Sequence, residues 1–493
     1  MNQYKYLLLI CLGLLFACEK EIKPPTDEDK GPPIDEEDER IKERIYYYYN
    51  QQSFWTDNIP DRNEEERKAF VKNYTSNGAL LNALKGLTPF HSGYGGSIDR
   101  FSFLDESDAD GNLSYADGFR MDTNDGYGLY YGWGILSPSA TKAYPVIYFV
   151  EGGSPAQKRG VTRGSIVYAL NDEEDITVGY NGVALNETDR RRVTAKLDAA
   201  MEARTLKLTV ETVDGEETEY TLNYETYDIN PIVADTVYEY SRNVGYLAYS
   251  SFEETDTRSA TGRKNRQDLE DVFASFENAD INDLILDLRY NTGGYVEAAE
   301  YLADKLVGVS GDGELMFSYE VNDYLASAPL YRNNFQDVKF SRKNNLELNN
   351  VYILVTQSTA SAAELLISSL KPYLNIALIA EENRTFGKPV GFFPQNITDD
   401  VTLWVTSFKT INADGYSDYW DGMAVDIPNI DDYIFKDFGD PTEDMIAEAL
   451  DLAGVSATSM RASSRKSSSA QRGVKLGIIN QPRERNMLKT KED

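Results

Sequence analysis

Along residues 227–455, stretches with the hydrophobic pattern of strands alternate with stretches that have the pattern of helices. Short apolar runs rich in β-branched residues predict buried strands, and longer stretches with apolar residues three and four apart predict helices. The predicted strands are VGYLAYSSF, DLILDLRY, VYILVT and IALIAE, and the helices among them are RQDLEDVFASFEN, VEAAEYLADKLV and SAAELLISSLKPY. A last helix, PTEDMIAEALDLA, closes the series. This alternation predicts an α/β fold with helices layered on a sheet.

Upstream of this region, the pattern first becomes helical. RIKERIYYYYNQQSFW and EEERKAFVKNY carry apolar residues at helical spacing. Residues 41–117 are therefore predicted to form a small N-terminal helical region. The run of four tyrosines within it is typical of a packing surface.

Residues 118–226 carry short strands punctuated by glycine and proline, with a helix before the last strands. This part resembles a PDZ module, on the match of Ser154-Pro155-Ala156 and Arg163-Gly164-Ser165-Ile166 to that family. The resemblance implies a groove that takes an extended peptide as an added strand, with Gly126 and Gly128 in the loop that holds its terminal carboxylate. A generic small β domain is the alternative.

The two ends of the chain differ from its middle. Residues 1–17 resemble a lipoprotein signal peptide, because their apolar stretch is too short to span a bilayer and leads into a lipobox-like Leu15-Phe16-Ala17-Cys18. The resemblance implies lipidation of Cys18 and a lipid-anchored protein of the bacterial cell envelope, on the periplasmic or surface face of the outer membrane. An ordinary secretory signal is the alternative. Residues 18–40 predict an acidic, proline-rich tether, and 456–493 a basic disordered tail.

Composition narrows the partners and cofactors. A formal charge of −32 argues against nucleic acid as a partner, because phosphate binding needs clustered Lys and Arg. Cys11 would leave with the signal, which excludes disulfides and thiolate metal sites from the mature chain. The segment DESDADGNLSYAD approaches a calcium loop, but Asp117 stands where a glutamate is usual, so an acidic surface loop is favoured. We therefore predict no cofactor, no metal, and membrane contact through the lipid anchor only.

The candidate chemistry starts at the turn after VYILVT, where serines precede a helix. Ser358 and Ser361 are the candidate nucleophiles there, and a serine nucleophile needs a base. The chain has one histidine, His91, which lies far upstream among glycines and aromatic residues. The other candidate is Lys388, a single charge within TFGKPVGFF, since burial in an apolar site can lower the pKa of a lysine enough to make it a base.

Two places can donate backbone N–H groups to an oxyanion. Gly293 and Gly294 lie between a predicted strand and helix, where glycine lets the backbone approach a substrate. The Ala362 amide, beside Ser361 at the next helix start, is the natural second donor.

Three motifs together, LDLRYNTGG, STASAAELL and TFGKPVG, resemble the carboxy-terminal processing (tail-specific) serine proteases. The resemblance implies a crotonase-like α/β protease core behind a PDZ-like module. It also implies polypeptide substrates selected through their C-termini, with Ser361 as nucleophile and Lys388 as general base. One departure is Phe392, which stands where several family members have a glutamine that orients the lysine; Gln395 is a possible substitute. A binding or adaptor protein on the same scaffold is the competing hypothesis.

Overall fold

The computed structural model describes residues 38–107, 113–115, 123–455, 473–482 and 487–488. The predicted signal peptide, Cys18 and almost all of the tether lie outside these residues, as do most of the calcium-like segment and residues 456–472 of the predicted tail. Among the helices that the structure describes, none combines the length and the hydrophobicity needed to span a membrane.

Ten α-helices and twenty-three strands occur within the described ranges. The helices are α1 Asp38–Gln52, α2 Glu64–Val71, α3 Asn77–Lys85, α4 Pro155–Lys158, α5 Glu187–Met201, α6 Ala260–Asn278, α7 Val296–Leu306, α8 Asp323–Ser327, α9 Ala362–Leu370 and α10 Asp444–Leu452. The strands are β1 Phe90–His91, β2 Gly96–Ser97, β3 Phe103–Ser107, β4 Leu113–Tyr115, β5 Thr123–Gly126, β6 Leu129–Ile135, β7 Lys142–Val150, β8 Ile166–Leu170, β9 Val178–Gly179, β10 Thr205–Glu211, β11 Glu217–Asn223, β12 Glu225–Asp228, β13 Ile232–Glu239, β14 Asn243–Tyr249, β15 Asp283–Asp287, β16 Leu315–Val321, β17 Val338–Lys339, β18 Asn350–Leu354, β19 Ile376–Ile379, β20 Val390–Asn396, β21 Val401–Asn412, β22 Val474–Ile478 and β23 Met487–Leu488.

The predicted α/β layer is a five-stranded sheet in the order β13-β14-β15-β18-β19. Strands β14, β15, β18 and β19 are parallel, and β13 is an antiparallel edge. In this register Asp287 pairs with Leu354, so β15 and β18 end side by side. The loops that follow parallel strands therefore meet at one edge of the sheet, which is where ligands bind in open α/β folds.

Both faces of this sheet are covered. Leu284 and Leu286 of β15 pack in the core beneath α6, α7 and α9, whereas Ile285 between them packs on the opposite side with Ile446 and Leu450 of α10. Burial on both faces explains why these strands read as continuous apolar runs rather than as alternating ones.

The residues that resemble a PDZ module contribute five strands to a second sheet, in the order β11-β10-β8-β7-β6-β22, in which β22 comes from the predicted tail. Helix α5 packs on it through Val193 and Leu197, which are buried with Leu129 of β6 and Leu206 of β10. Strand β6 is bounded on one side by β7 and on the other by β22.

The third sheet contains β17-β16-β21-β20-β23, with β3 paired to β21 and β4 to β3. The predicted N-terminal helical region, 41–117, is helical only as far as Lys85, and its remainder contributes strands to two sheets. Helices α1 and α3 pack on the third sheet through Tyr46, Tyr49 and Leu80 against Leu403. The pattern of β3 escaped prediction because its partner, β21, lies nearly 300 residues away along the chain.

The predicted disordered tail is also partly ordered. Val474–Ile478 forms β22, antiparallel to β6, and Met487–Leu488 pairs with Gly391 and Phe392 of β20. The basic and serine-rich composition suggested disorder. The short apolar run VKLGII nevertheless pairs with the edge of β6, where its backbone groups form hydrogen bonds. The prediction of disorder is therefore wrong for 473–482.

A buried ionic network joins the second sheet to the α/β layer. The Arg163 guanidinium donates to the Asp432 carboxylate at 2.6 Å, to the Tyr290 hydroxyl at 3.2 Å and to the Tyr148 carbonyl at 2.8 Å. Arg289 donates to the same Asp432 carboxylate at 2.8 Å. Both guanidinium side chains are inaccessible to solvent, so the network replaces water as their hydrogen-bonding partner.

Candidate active site

Ser361 lies at the turn between β18 and α9, as the strand-to-helix pattern predicted. Its φ of +63° and ψ of −117° fall outside the regions that L-residues favour. Its hydroxyl is buried, and none of the described residues forms a hydrogen bond with it. A strained backbone under a buried, uncommitted hydroxyl is the type of feature found at functional sites.

The turn that carries Ser361 is held by its neighbours. The Thr359 hydroxyl donates to the Leu288 carbonyl at 2.8 Å and accepts from the Thr356 amide at 3.0 Å. The Ala360 amide donates to the Asn291 carbonyl at 3.1 Å. The serine turn is therefore bonded directly to the loop that follows β15.

That loop carries the two predicted oxyanion glycines. Gly293 and Gly294 have φ of +115° and +137°, values open to glycine and costly for other residues. A Cβ at Gly294 would lie 2.1 Å from the Phe252 carbonyl oxygen, so a side chain cannot be accommodated there. The Gly293 amide donates to the Asn291 side chain at 2.9 Å. Ala362 is the first residue of α9, where an amide has no acceptor within the helix.

Lys388 is brought to the same place by the loop before β20. It is 2% exposed, and its Nζ lies 4.8 Å from the ring centroid of Phe101 and 5.3 Å from that of Phe392. Burial disfavours a charged amine, whereas the two ring faces attract one. Phe392, in the position of the family's glutamine, is thus part of an aromatic wall beside the amine.

The Gln395 side chain is held at a different place. Its Oε1 accepts from Gln52 Nε2 at 2.9 Å, and its Nε2 donates to the Asn396 carbonyl at 3.2 Å. Gln395 therefore has partners of its own on α1 and β20, and we do not assign it the glutamine's orienting role.

Glu364 is a residue to which the sequence analysis assigned no role. It lies in the first turn of α9, and its carboxylate is fully buried. It accepts from the Ser361 amide at 3.1 Å, the Lys388 amide at 2.8 Å, the Gly387 amide at 2.8 Å and the Thr385 hydroxyl at 2.5 Å. Burial raises the pKa of this carboxyl, and the four donors oppose that shift. One side chain thus joins the turn of Ser361 to the loop of Lys388.

His91, the other candidate base, lies behind the lysine loop. Its ring centroid is 4.3 Å from that of Tyr94, whose hydroxyl donates to the Gly387 and Trp420 carbonyls. Its Nδ1 is 4.0 Å from an Asp421 carboxylate oxygen. His91 therefore supports the lysine loop through Tyr94.

Two cavities lie near the predicted site residues. A cavity of about 440 Å³ is lined by Thr292, Ser358, Ala360 and Lys388. A second cavity, of about 730 Å³, is lined by Gly126, Gly128 and Arg204 at the end of β6. Within the described ranges, the acidic and histidine side chains form no cluster that could hold a metal ion.

Comparison with known proteins finds similarity to one family of peptidases. Residues 243–428 match peptidase family S41. The carboxy-terminal processing protease CtpA of Bacillus subtilis is 26% identical over 265 residues, which cover 53% of this chain and 48% of that protein. The chloroplastic carboxyl-terminal-processing peptidase 3 of Arabidopsis thaliana is 25% identical over 307 residues, covering 61% and 53%. The chain spans about half the length of the curated relatives it matches.

The fold has a relative among solved structures. A protein from Bacteroides fragilis, described as a candidate S41 protease, superimposes with a TM-score of 0.59 at 23% identity, covering 84% of this chain and 97% of that one. The matched family region contains both Ser361 and Lys388, together with the glycine loop. The resemblance seen in the three motifs is confirmed: residues 243–428 match peptidase family S41, and the proteins similar to this chain include carboxy-terminal processing proteases.

Proposed function

We propose that this protein is a serine endopeptidase of the tail-specific type, acting through Ser361 and Lys388. The observation that carries the proposal is the Glu364 carboxylate, which accepts hydrogen bonds from the amides of both residues. A buried carboxylate bound in this way fixes the nucleophile and the lysine loop relative to each other. Pre-set geometry of this kind is a large part of the catalytic effect of an active site.

In this mechanism neutral Lys388 takes the proton of the Ser361 hydroxyl as the oxygen attacks a peptide carbonyl. The tetrahedral oxyanion accepts hydrogen bonds from the amides of Ala362 and of Gly294 or Gly293. Lysine then returns the proton to the leaving amine, and water hydrolyses the acyl-enzyme by the reverse sequence. The Gly293 amide would first have to leave Asn291, which favours Gly294 as the donor.

The second sheet supports the substrate side of the proposal. Its fold, with α5 packed on the sheet and a cavity at Gly126 and Gly128 beside β6, suits a PDZ-like module that takes an extended peptide. We propose that this module selects polypeptides through their C-termini. We also propose that lipidated Cys18 tethers the enzyme to the cell envelope, which rests on the signal sequence alone.

The competing function is a binding protein on a protease scaffold. A single experiment separates the two: the chain without residues 1–18 is incubated with an unfolded polypeptide such as reduced, alkylated casein. Wild-type protein should cleave it, Ser361→Ala should lose at least a hundredfold in rate, and a fluorophosphonate probe should label wild type only. Ser358→Ala is the matched control and should keep its activity. Undiminished cleavage by Ser361→Ala would refute the assignment.

A further inference from the structure

The edge of β6 that does not pair with β7 is occupied by another segment of the same chain. Strand β22 runs antiparallel to β6, with Val474 opposite Ile135 and Ile478 opposite Gly132. The Ile479 amide continues the ladder by donating to the Tyr131 carbonyl at 2.8 Å. An extended segment added to a sheet edge in this way is one of the recurring modes of peptide recognition.

Side chains of the segment also find partners in the groove. Leu476 and Ile479 pack on the apolar core of the second sheet. The Asn480 side chain accepts from the Tyr131 amide at 2.7 Å and donates to the Leu129 carbonyl at 3.3 Å. Backbone pairing supplies affinity and these side-chain contacts supply selectivity.

Lys475 of the segment contacts two acidic side chains of the α/β layer. Lys475 bonds to the Glu381 carboxylate and lies 3.8 Å from Asp432, and its side chain is 13% exposed. Burial lowers the pKa of Lys475, but Asp432 and Glu381 raise it by more, so the amine is charged at neutral pH. Both acids belong to the α/β part of the chain, so the segment contacts the second sheet and the α/β layer at once.

The segment then passes from one cavity to the other. Asn480 and Gln481 line the cavity at Gly126 and Gly128, and Gln481 and Pro482 line the cavity of Lys388. Beyond it, Met487 pairs with Gly391, three residues after Lys388. The segment 473–482 therefore runs from the edge of β6 to the cavity that Lys388 lines.

We propose that the edge of β6 is a polypeptide-binding groove whose resident ligand is the chain's own segment 473–482, which a separate polypeptide must displace. The partner that fits the groove is an extended peptide with a cationic residue followed by apolar ones. The effect on proteolysis rests on the function proposed above, whereas binding of the segment does not. A tethered ligand acts at an effective concentration of up to about millimolar, so weakly binding competitors are excluded.

The test uses the chain without residues 1–18 and two single substitutions in one strand. Leu476→Asp places a charge against the apolar core and should release the segment, whereas Val474→Asp adds the same charge at an exposed position. Hydrogen exchange of the β6 amides should become at least tenfold faster in Leu476→Asp and remain at the wild-type rate in Val474→Asp. Unchanged exchange in Leu476→Asp, or an equal rise in both variants, would overturn the proposal. Exchange that slows with rising protein concentration would also overturn it, because the ligand would then come from a second copy.

A second measurement separates this inference from the proposed function. A fluorescent peptide of sequence GVKLGIINQP should bind Leu476→Asp at least tenfold more tightly than it binds wild type or Val474→Asp. Casein turnover should rise in Leu476→Asp only. Faster exchange and tighter peptide binding without turnover in any variant would remove the protease proposal and keep the resident ligand. Equal turnover and equal hydrogen exchange in all three proteins would keep the protease proposal and remove the proposal of a resident ligand.

Discussion

At the scale of single residues, the backbone of Ser361 makes a prediction that is separate from catalysis. Its φ of +63° with ψ of −117° is strained for a residue with a Cβ and open to glycine. Relief of such strain is worth about 1–3 kcal/mol. Ser361→Gly should therefore have a larger free energy of unfolding than Ser361→Ala by about 1 kcal/mol, measured by urea denaturation. Equal stabilities would contradict the backbone geometry.

The proposed role of Lys388 as a base predicts that replacing it with a permanently charged residue lowers turnover. A guanidinium cannot give up its proton at neutral pH, so Lys388→Arg keeps a cation and removes the proposed base. Turnover of casein should fall by about 10²–10⁴-fold, the usual contribution of a positioned base. Lys158→Arg, at an exposed position on α4, is the control. If Lys388→Arg kept most of the wild-type rate while remaining folded, lysine would not be the base.

The sequence located the candidate site better than it explained it. Residue type and spacing gave Ser358 and Ser361, Lys388 and His91, and the two glycines as candidates, and the family resemblance then selected Ser361 and Lys388 among them. The role of Glu364 could not be predicted, since three of its four partners lie more than twenty residues away in the chain. The place of Gln395 was equally hidden, because its partner Gln52 comes from α1.

At the scale of elements, α9 and the loop before β20 behave as one unit through Glu364. Glu364→Gln puts an NH₂ group among four donors, so at least one buried donor loses its acceptor. We expect the free energy of unfolding to fall by about 1–3 kcal/mol and turnover to fall with it. Chemical denaturation and the casein assay measure the two effects.

The matched control for this substitution is Glu65→Gln, at an exposed position of α2. It makes the same chemical change where water can satisfy either side chain, so stability and turnover should be unchanged. Equal effects of the two substitutions would mean that Glu364 does not hold the loops together.

Elements with a local signature were predictable, and those defined by distant partners were not. Strands β14, β15, β18 and β19 appear in the sequence as continuous apolar runs, and helices α6, α7 and α9 show the helical period. Strands β3 and β22 are no shorter than β15 and β18, but their identity depends on an edge that another part of the chain provides. Composition misled at 473–482 because the tail is basic as a whole, whereas this part carries one cation, Lys475, which pairs with Glu381, beside apolar residues that pack on the second sheet.

At the scale of the whole molecule, the parts are joined by buried charge as well as by apolar contacts. Arg163 belongs to the part of the chain that forms the second sheet, Tyr290 to the loop after β15, and Asp432 to the segment before α10. Burial raises the pKa of Asp432, but Arg163, Lys475 and Arg289 lower it by more, to well below the usual range. The resident segment shares in this network through Lys475. The Asp432 carboxylate therefore contacts cations from the second sheet, from the loop after β15 and from the tail.

This ionic network predicts that removing one of its charged side chains lowers the free energy of unfolding strongly. In Arg163→Met the volume is nearly kept, but Asp432 loses a buried partner and the Tyr148 carbonyl loses its donor. Breaking a buried pair from one side typically costs about 3–5 kcal/mol, and we expect a loss of that size in the free energy of unfolding. Arg190→Met on α5 removes a solvent-exposed ion pair with Glu187 and should change stability little. If the two substitutions had similar effects in the same denaturation experiment, the ionic network would not be what joins the second sheet to the α/β layer.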